Sequence, residues 1–144
     1  MFEHALIAVE GATVAEIRKI AQLTCFLMAE NIIVGGTYGN ATGTPVDTGY
    51  ARAQWTPSLH EPVKRVSAPD QSGQRASDDV GTTVASLELG NEFWLTNGAS
   101  YIRPLEAGYS RQAPLGMVAP VLLNAQPIVD LIVKARRAYA AEQV

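Results

Sequence analysis

The sequence predicts an α+β domain, in which a long N-terminal helix and a C-terminal helix pack on one face of an antiparallel sheet, with a long polar loop between strands. Three observations predict it. Apolar residues recur at three- and four-residue steps over residues 13 to 34 and again from Val118 to Tyr139, the mark of helices with one buried face. Between these helices, β-branched and aromatic residues gather in short runs bounded by turn formers: Trp55 to Leu59, Thr83 to Leu89 and Glu92 to Thr96. Residues 60 to 82 carry few large apolar side chains and read as the polar loop. The 144 residues form one domain, spanning 1–144, large enough to bury a core without disulfide or metal.

Taken in order, residues 1 to 12 leave three readings open, because Ala5-Leu-Ile-Ala-Val suits a helix, a short strand or an arm. Thr13-Val-Ala-Glu16 matches a capping box, and Gly35-Gly36 should end the helix that follows. The glycine-rich stretch from Gly35 to Pro45 is loop. It lacks the Lys-Ser/Thr pair of a phosphate-binding loop and follows a helix rather than a strand. Asp47 is placed to cap one or two helical turns over Thr48 to Ala53, and a strand starts at Trp55. A short strand at Val63 to Val66 would extend the sheet, whereas residues 67 to 80 bury too little apolar surface to be ordered in an isolated subunit. Gly90-Asn91 reads as the turn between two strands.

The stretch Asn97 to Pro120 packs glycines, prolines and tyrosines between a strand and the last helix. Asn97-Gly98 is a tight-turn signal through positive φ. Tyr101 and Leu105 share a face of one or two helical turns, which Pro104 limits and Gly108 stops in a left-handed conformation. Pro120 suits the first turn of the last helix, and Pro127 should kink or divide it. Lys134, Arg136 and Arg137 complement the negative end of that helix.

Composition narrows the function. The net charge is −3, and Lys and Arg are scattered, which argues against nucleic-acid binding. Cys25 sits among Leu23, Phe26 and Leu27 and reads as buried and unreactive in a reducing compartment. His4 and His60 have no partners at ligand spacing, so neither a metal nor a cofactor is expected. Asp78-Asp79 reads as part of a solvated loop. The start lacks the basic residues and cleavage site of a signal peptide, and no apolar run approaches the ~18 residues of a membrane span. Asp47-Thr48-Gly49 is also the signature of aspartic proteases, whose paired carboxylates share a water. That chemistry needs the Asp on a rigid apolar strand-turn, whereas the residues after Gly49 are helical in character and Leu87-Glu-Leu-Gly90 is a poor downstream partner. The cap reading is preferred; a retroviral-type aspartic protease and a small soluble adaptor domain are the alternatives.

Two clusters carry a resemblance. Thr44-Pro-Val-Asp-Thr-Gly-Tyr-Ala-Arg-Ala-Gln-Trp55 resembles the Pro-x-Asp-Thr-Gly-x-Leu-Arg-x-Ser/Ala segment of the neck and tail-completion (minor tail component) proteins of long-tailed bacteriophages. Asn97-Gly-Ala-Ser-Tyr-Ile-Arg-Pro-Leu-Glu-Ala-Gly108 resembles that family's Asn-x-x-x-Tyr-Ala-x-x-Leu/Val-Glu-x-Gly segment, and Gln112-Ala-Pro-Leu-Gly-Met117 its Gln-Ala-Pro-x-Gly-Met/Phe. Ala51 and Ile102 depart from the pattern, both by apolar changes. The resemblance implies a non-catalytic virion protein at the head–tail junction or tail end, as neck, tail-completion or tail-terminator subunit. It implies assembly in the bacterial host cytoplasm into a homo-oligomeric ring, a hexamer, touching adjacent neck, connector or tail-tube proteins. DNA would pass through that ring without sequence-specific binding, and no membrane is involved. The expected interface and structural residues are Asp47, Thr48, Gly49, Trp55, Tyr101, Leu105, Glu106, Gly108, Pro114 and Gly116. Of these, Tyr101, Leu105 and Glu106 are expected at or beside the contact between ring neighbours.

Overall fold

The computed structural model describes residues 13–36 and 42–142; the readings for Ala5 to Val9 and for the middle of the Gly35–Pro45 loop lie outside the described residues. Its elements are α1 (Val14–Ile33), α2 (Tyr50–Ala53), β1 (Trp55–Leu59), α3 (Gln74–Ala85), β2 (Phe93–Asn97), α4 (Ile102–Glu106), α5 (Val118–Leu123) and α6 (Ala125–Glu142). The class is α+β, with helices packed on a two-stranded antiparallel sheet in which Trp55 stands opposite Asn97 and Leu59 opposite Phe93.

The first helix begins at its expected cap: Thr13 Oγ1 accepts the Glu16 amide at 3.2 Å. Its apolar stripe buries Ile20, Ala21, Cys25, Met28, Ile32 and Ile33. Two polar residues share that buried face because each donates to a carbonyl one turn back. Thr24 Oγ1 reaches Ile20 O and Asn31 Nδ2 reaches Leu27 O, both at 2.7 Å. The α3, α5 and α6 helices all pack against α1, and β1 packs against α3. The shared core joins Ile33, Trp55, Val80, Ala113, Met117, Val121 and Val129. At the sheet, β1 is buried from Trp55 through Pro57. Pro57 is tolerated because, among the described residues, the sheet has two strands, so one side of β1 has no ladder partner there.

The region between the strands differs from expectation. Residues 74 to 85 form a helix, so the polar loop ends at Gly73, and Thr83 to Leu89 is not a strand. Ala76, Val80 and Val84 recur every four residues and are buried against α1, a stripe of small apolar residues sufficient to hold the helix. The β-branched run Thr82-Thr83-Val84 and Gly81 mask it when read as strand formers. Asp78 and Asp79 thus lie on a helix, and Asp79 pairs with Arg65 at 3.0 Å. Nor does Val63 to Val66 extend the sheet: it has no ladder partner, and Val66 is exposed. Residues 67 to 73 are tied to their surroundings by hydrogen bonds. Gln54, itself buried, donates to Ser67 O and accepts the Ser67 amide, and Asp70 accepts from Ser72 and from the Arg75 amide at the start of α3.

The Gly90-Asn91 turn forms, with Glu88 and Asn91 bonded to each other, but it joins the end of α3 to β2. The last helical stripe is divided as Pro127 predicts. The break falls at Asn124, and Pro127 then occupies the first turn of α6, where no amide donor is needed.

Candidate functional site

The stretches around Asp47 and Tyr101 lie beside each other at one end of the sheet, and each is tied separately to the core. In the first, Thr44 is fully buried; its Oγ1 donates to Ile32 O at 2.8 Å and accepts Trp55 Nε1 at 2.7 Å. Arg52 then clamps the loop, donating to Thr44 O through Nε and Nη2 at 3.2 and 2.8 Å and to Gln71 O at 2.9 Å. Partial burial lowers the Arg52 pKa, and Asp70 opposes that shift. At Gly49 the loop crosses the 70–73 turn: Asp70 N donates to Gly49 O at 3.1 Å, and φ is +88°. A side chain there would collide with the Asp70–Gln71 backbone, so only glycine permits the crossing.

In the second stretch, Asn97 makes the turn out of β2 with its side chain rather than with positive φ. Its Oδ1 accepts the Ala99 amide at 2.9 Å, while Nδ2 reaches Ala51 O at 2.8 Å. Pro104 sits in the first turn of α4 as expected, and Gly108 ends that segment at φ +91°. A Cβ at Gly108 would collide with the Pro114 carbonyl. Glu106 bends back to cap the start of α5, accepting the amides of Met117, Val118 and Ala119 at 2.9, 3.0 and 3.1 Å. A carboxylate suits that position because the first amides of a helix have no other partner.

Three contacts join the stretches. Gln112 pairs with the Val46 backbone as a strand would, accepting its N–H at 2.8 Å and donating to its O at 2.9 Å. The rings of Tyr50 and Tyr101 face each other with centroids 6.2 Å apart, tilted by 37°. The Asn97–Ala51 bond is the third. They enclose a cleft of about 220 Å³ lined by residues 45–51 with Tyr101, Leu105, Ser110 and Gln112. The Tyr101 phenol is raised in pKa, first by desolvation and then by Tyr50 and Asp47, against the Ala51 amide.

The structure assigns the expected site residues to different tasks. Gly49, Gly108, Gly116 and Glu106 shape the backbone, with Gly116 set against Glu106. Trp55 is core. Leu105 packs on the core rather than outward, and Glu106 is consumed by its capping bonds. Pro114 is exposed and contributes its carbonyl beneath Gly108. Asp47 is not the cap of α2: that position falls to Gly49, and Thr48 Oγ1 accepts the Tyr50 amide at 3.3 Å. The two residues between Asp47 and α2 leave its carboxylate exposed, and only its carbonyl is used, by Gln71 Nε2. Gln112, Arg52, Thr44 and Asn97 all lie inside the quoted motifs, yet their roles as clamps depend on contacts up to 66 residues apart.

A scan against protein-family models matches none to the chain, and searches of curated proteins and of solved structures find no match. Chemically, Asp47 is the one carboxylate among the residues lining the cleft, and no group of three or more metal-ligating side chains occurs among the described residues. No helix there is long and apolar enough to cross a membrane. The second stretch and the helix after it carry exposed apolar side chains alongside the exposed Arg103 and Arg111. Of the ten large hydrophobics exposed among the described residues, five fall between 101 and 123: Tyr101, Tyr109, Leu115, Leu122 and Leu123. Tyr109, Leu115 and Leu123 are about 80% exposed, at 82%, 78% and 83%.

Proposed function

We propose that this chain is a structural subunit of a tailed-phage particle, a neck or tail-completion protein that assembles with copies of itself into a ring around the DNA channel and has no catalytic role. The observation that carries this reading is the joined pair of stretches. The segments that resemble the phage family at 44–55 and 97–117 form one braced unit, and its face presents the apolar residues Tyr109 and Leu115 to solvent. Concentrated exposed apolar surface on a small domain marks a protein contact. A braced loop suits such a contact because little conformational freedom is lost when it binds. The net charge of −3 fits a channel wall along which DNA slides, since tight backbone binding requires many cations. Flanking neck, connector or tail-tube proteins are the further partners, and the virion is the location.

Negative-stain imaging of the purified protein tests the reading. Closed rings with an axial channel are expected; monomers at every concentration, or compact particles without a channel, overturn it.

A further inference from the structure

Between α1 and α3 runs a groove of about 490 Å³ that the packing of the core leaves open. Phe26 lines it from α1 and Gly81 from α3. A Cβ at Gly81 would meet only Phe26 Cε2, at 3.8 Å, so the groove is open at that position. Two carboxylates, Glu30 and Asp78, line the same groove. Neither has a cation within ion-pair distance among the described residues, where the ion pairs are Arg18–Glu88 and Arg65–Asp79. Among the described residues, the Asp78 carboxylate accepts from a neutral donor, Gln74 Nε2 at 2.7 Å.

The braced stretch of residues 103–115 has the opposite character. Arg103 and Arg111 are exposed and have no ion-pair partner among the described residues, and along the chain they alternate with the exposed Tyr109 and Leu115. Its backbone is fixed by the Glu106 cap, by the Gly108–Pro114 crossing and by the Gln112–Val46 pairing. We propose that this knuckle of one copy seats in the α1/α3 groove of the next, with Arg103 and Arg111 meeting Glu30 and Asp78, and with Phe26 offering its ring face to a guanidinium. This deepens the ring reading of the preceding section and rests on it. The two surfaces share no residue, so the contact is heterologous. Such contacts repeat head to tail and form a ring where the rotation between copies closes, whereas one patch meeting itself stops at a dimer. Guanidinium over an aromatic face and opposite carboxylates is a favourable combination for a contact that excludes water.

Sedimentation velocity on charge-reversed variants, with melting curves as a folding control, tests the pairing. Glu30→Lys with Asp78→Lys, and separately Arg103→Glu with Arg111→Glu, should each weaken self-association by at least ~10-fold. An equimolar mixture of the two variants should recover wild-type assembly, because each knuckle then finds a groove of opposite charge. Should a reversed protein fail to fold, Glu30→Gln with Asp78→Asn and Arg103→Gln with Arg111→Gln test the loss of self-association alone, since a neutral groove and a neutral knuckle do not restore one another on mixing. Variants that assemble like wild type, or a loss that mixing the two charge-reversed proteins does not restore, overturn the pairing while the ring reading stands. A wild-type chain that never assembles overturns both.

Discussion

Thr44 has no exposed surface, yet its hydroxyl holds the Trp55 indole N–H at 2.7 Å and the Ile32 carbonyl at 2.8 Å, joining the end of α1 to the first strand. Thr44→Val keeps the shape and removes both bonds, leaving the indole N–H buried without a partner. The expected cost is about 1–3 kcal/mol, read from denaturant unfolding, and a change smaller than experimental error would contradict the geometry. Cys25 supplies a pH-dependent counterpart. Burial pushes its thiol from 9.0 up to about 11, so the folded state disfavours the thiolate. Its contribution is therefore fully present below pH 9 and is lost as pH rises through about 11. The stability difference between wild type and Cys25→Ala should shrink over that window, by on the order of 2 kcal/mol. A difference that stays constant would mean that the thiol is solvated.

At the scale of elements, stability of the second stretch turns on backbone crossings that only glycine permits. Gly108→Val forces a side chain into the Pro114 carbonyl at φ +91°, and should lower stability by more than ~1 kcal/mol. An unchanged melting temperature would show that the crossing yields easily. Gly108 was legible because its spacing after Tyr101 and Pro104 calls for a left-handed stop. So were the α1 cap at Thr13, the strands at Trp55 and Phe93, and the division near Pro127, each set by residues only a few positions apart. The α3 helix was not legible. Its stripe of Ala76, Val80 and Val84 is narrow and weakly apolar, and it becomes helical by packing on α1 rather than by local preference. Asp47 misled for a related reason. A capping residue is recognised by its distance from the first helical turn, and the start of α2 is set two residues later by the crossing at Gly49.

For the whole molecule, the candidate site was legible as two stretches but not as one unit. Their junction depends on Gln112 reaching Val46 and on Asn97 reaching Ala51, pairs that no local pattern announces. Once joined, they leave Tyr109 and Leu115 in solvent, where neither can contribute much to the stability of the free subunit. Removing them therefore separates folding from assembly. The central claim is that this surface holds a ring together, and sedimentation velocity of wild type beside the double variant Tyr109→Ser, Leu115→Ser tests it most directly. The account predicts a closed oligomer for wild type and a monomer for the variant, with matching melting curves. Two proteins that sediment alike, whether both as oligomers or both as monomers, would contradict it.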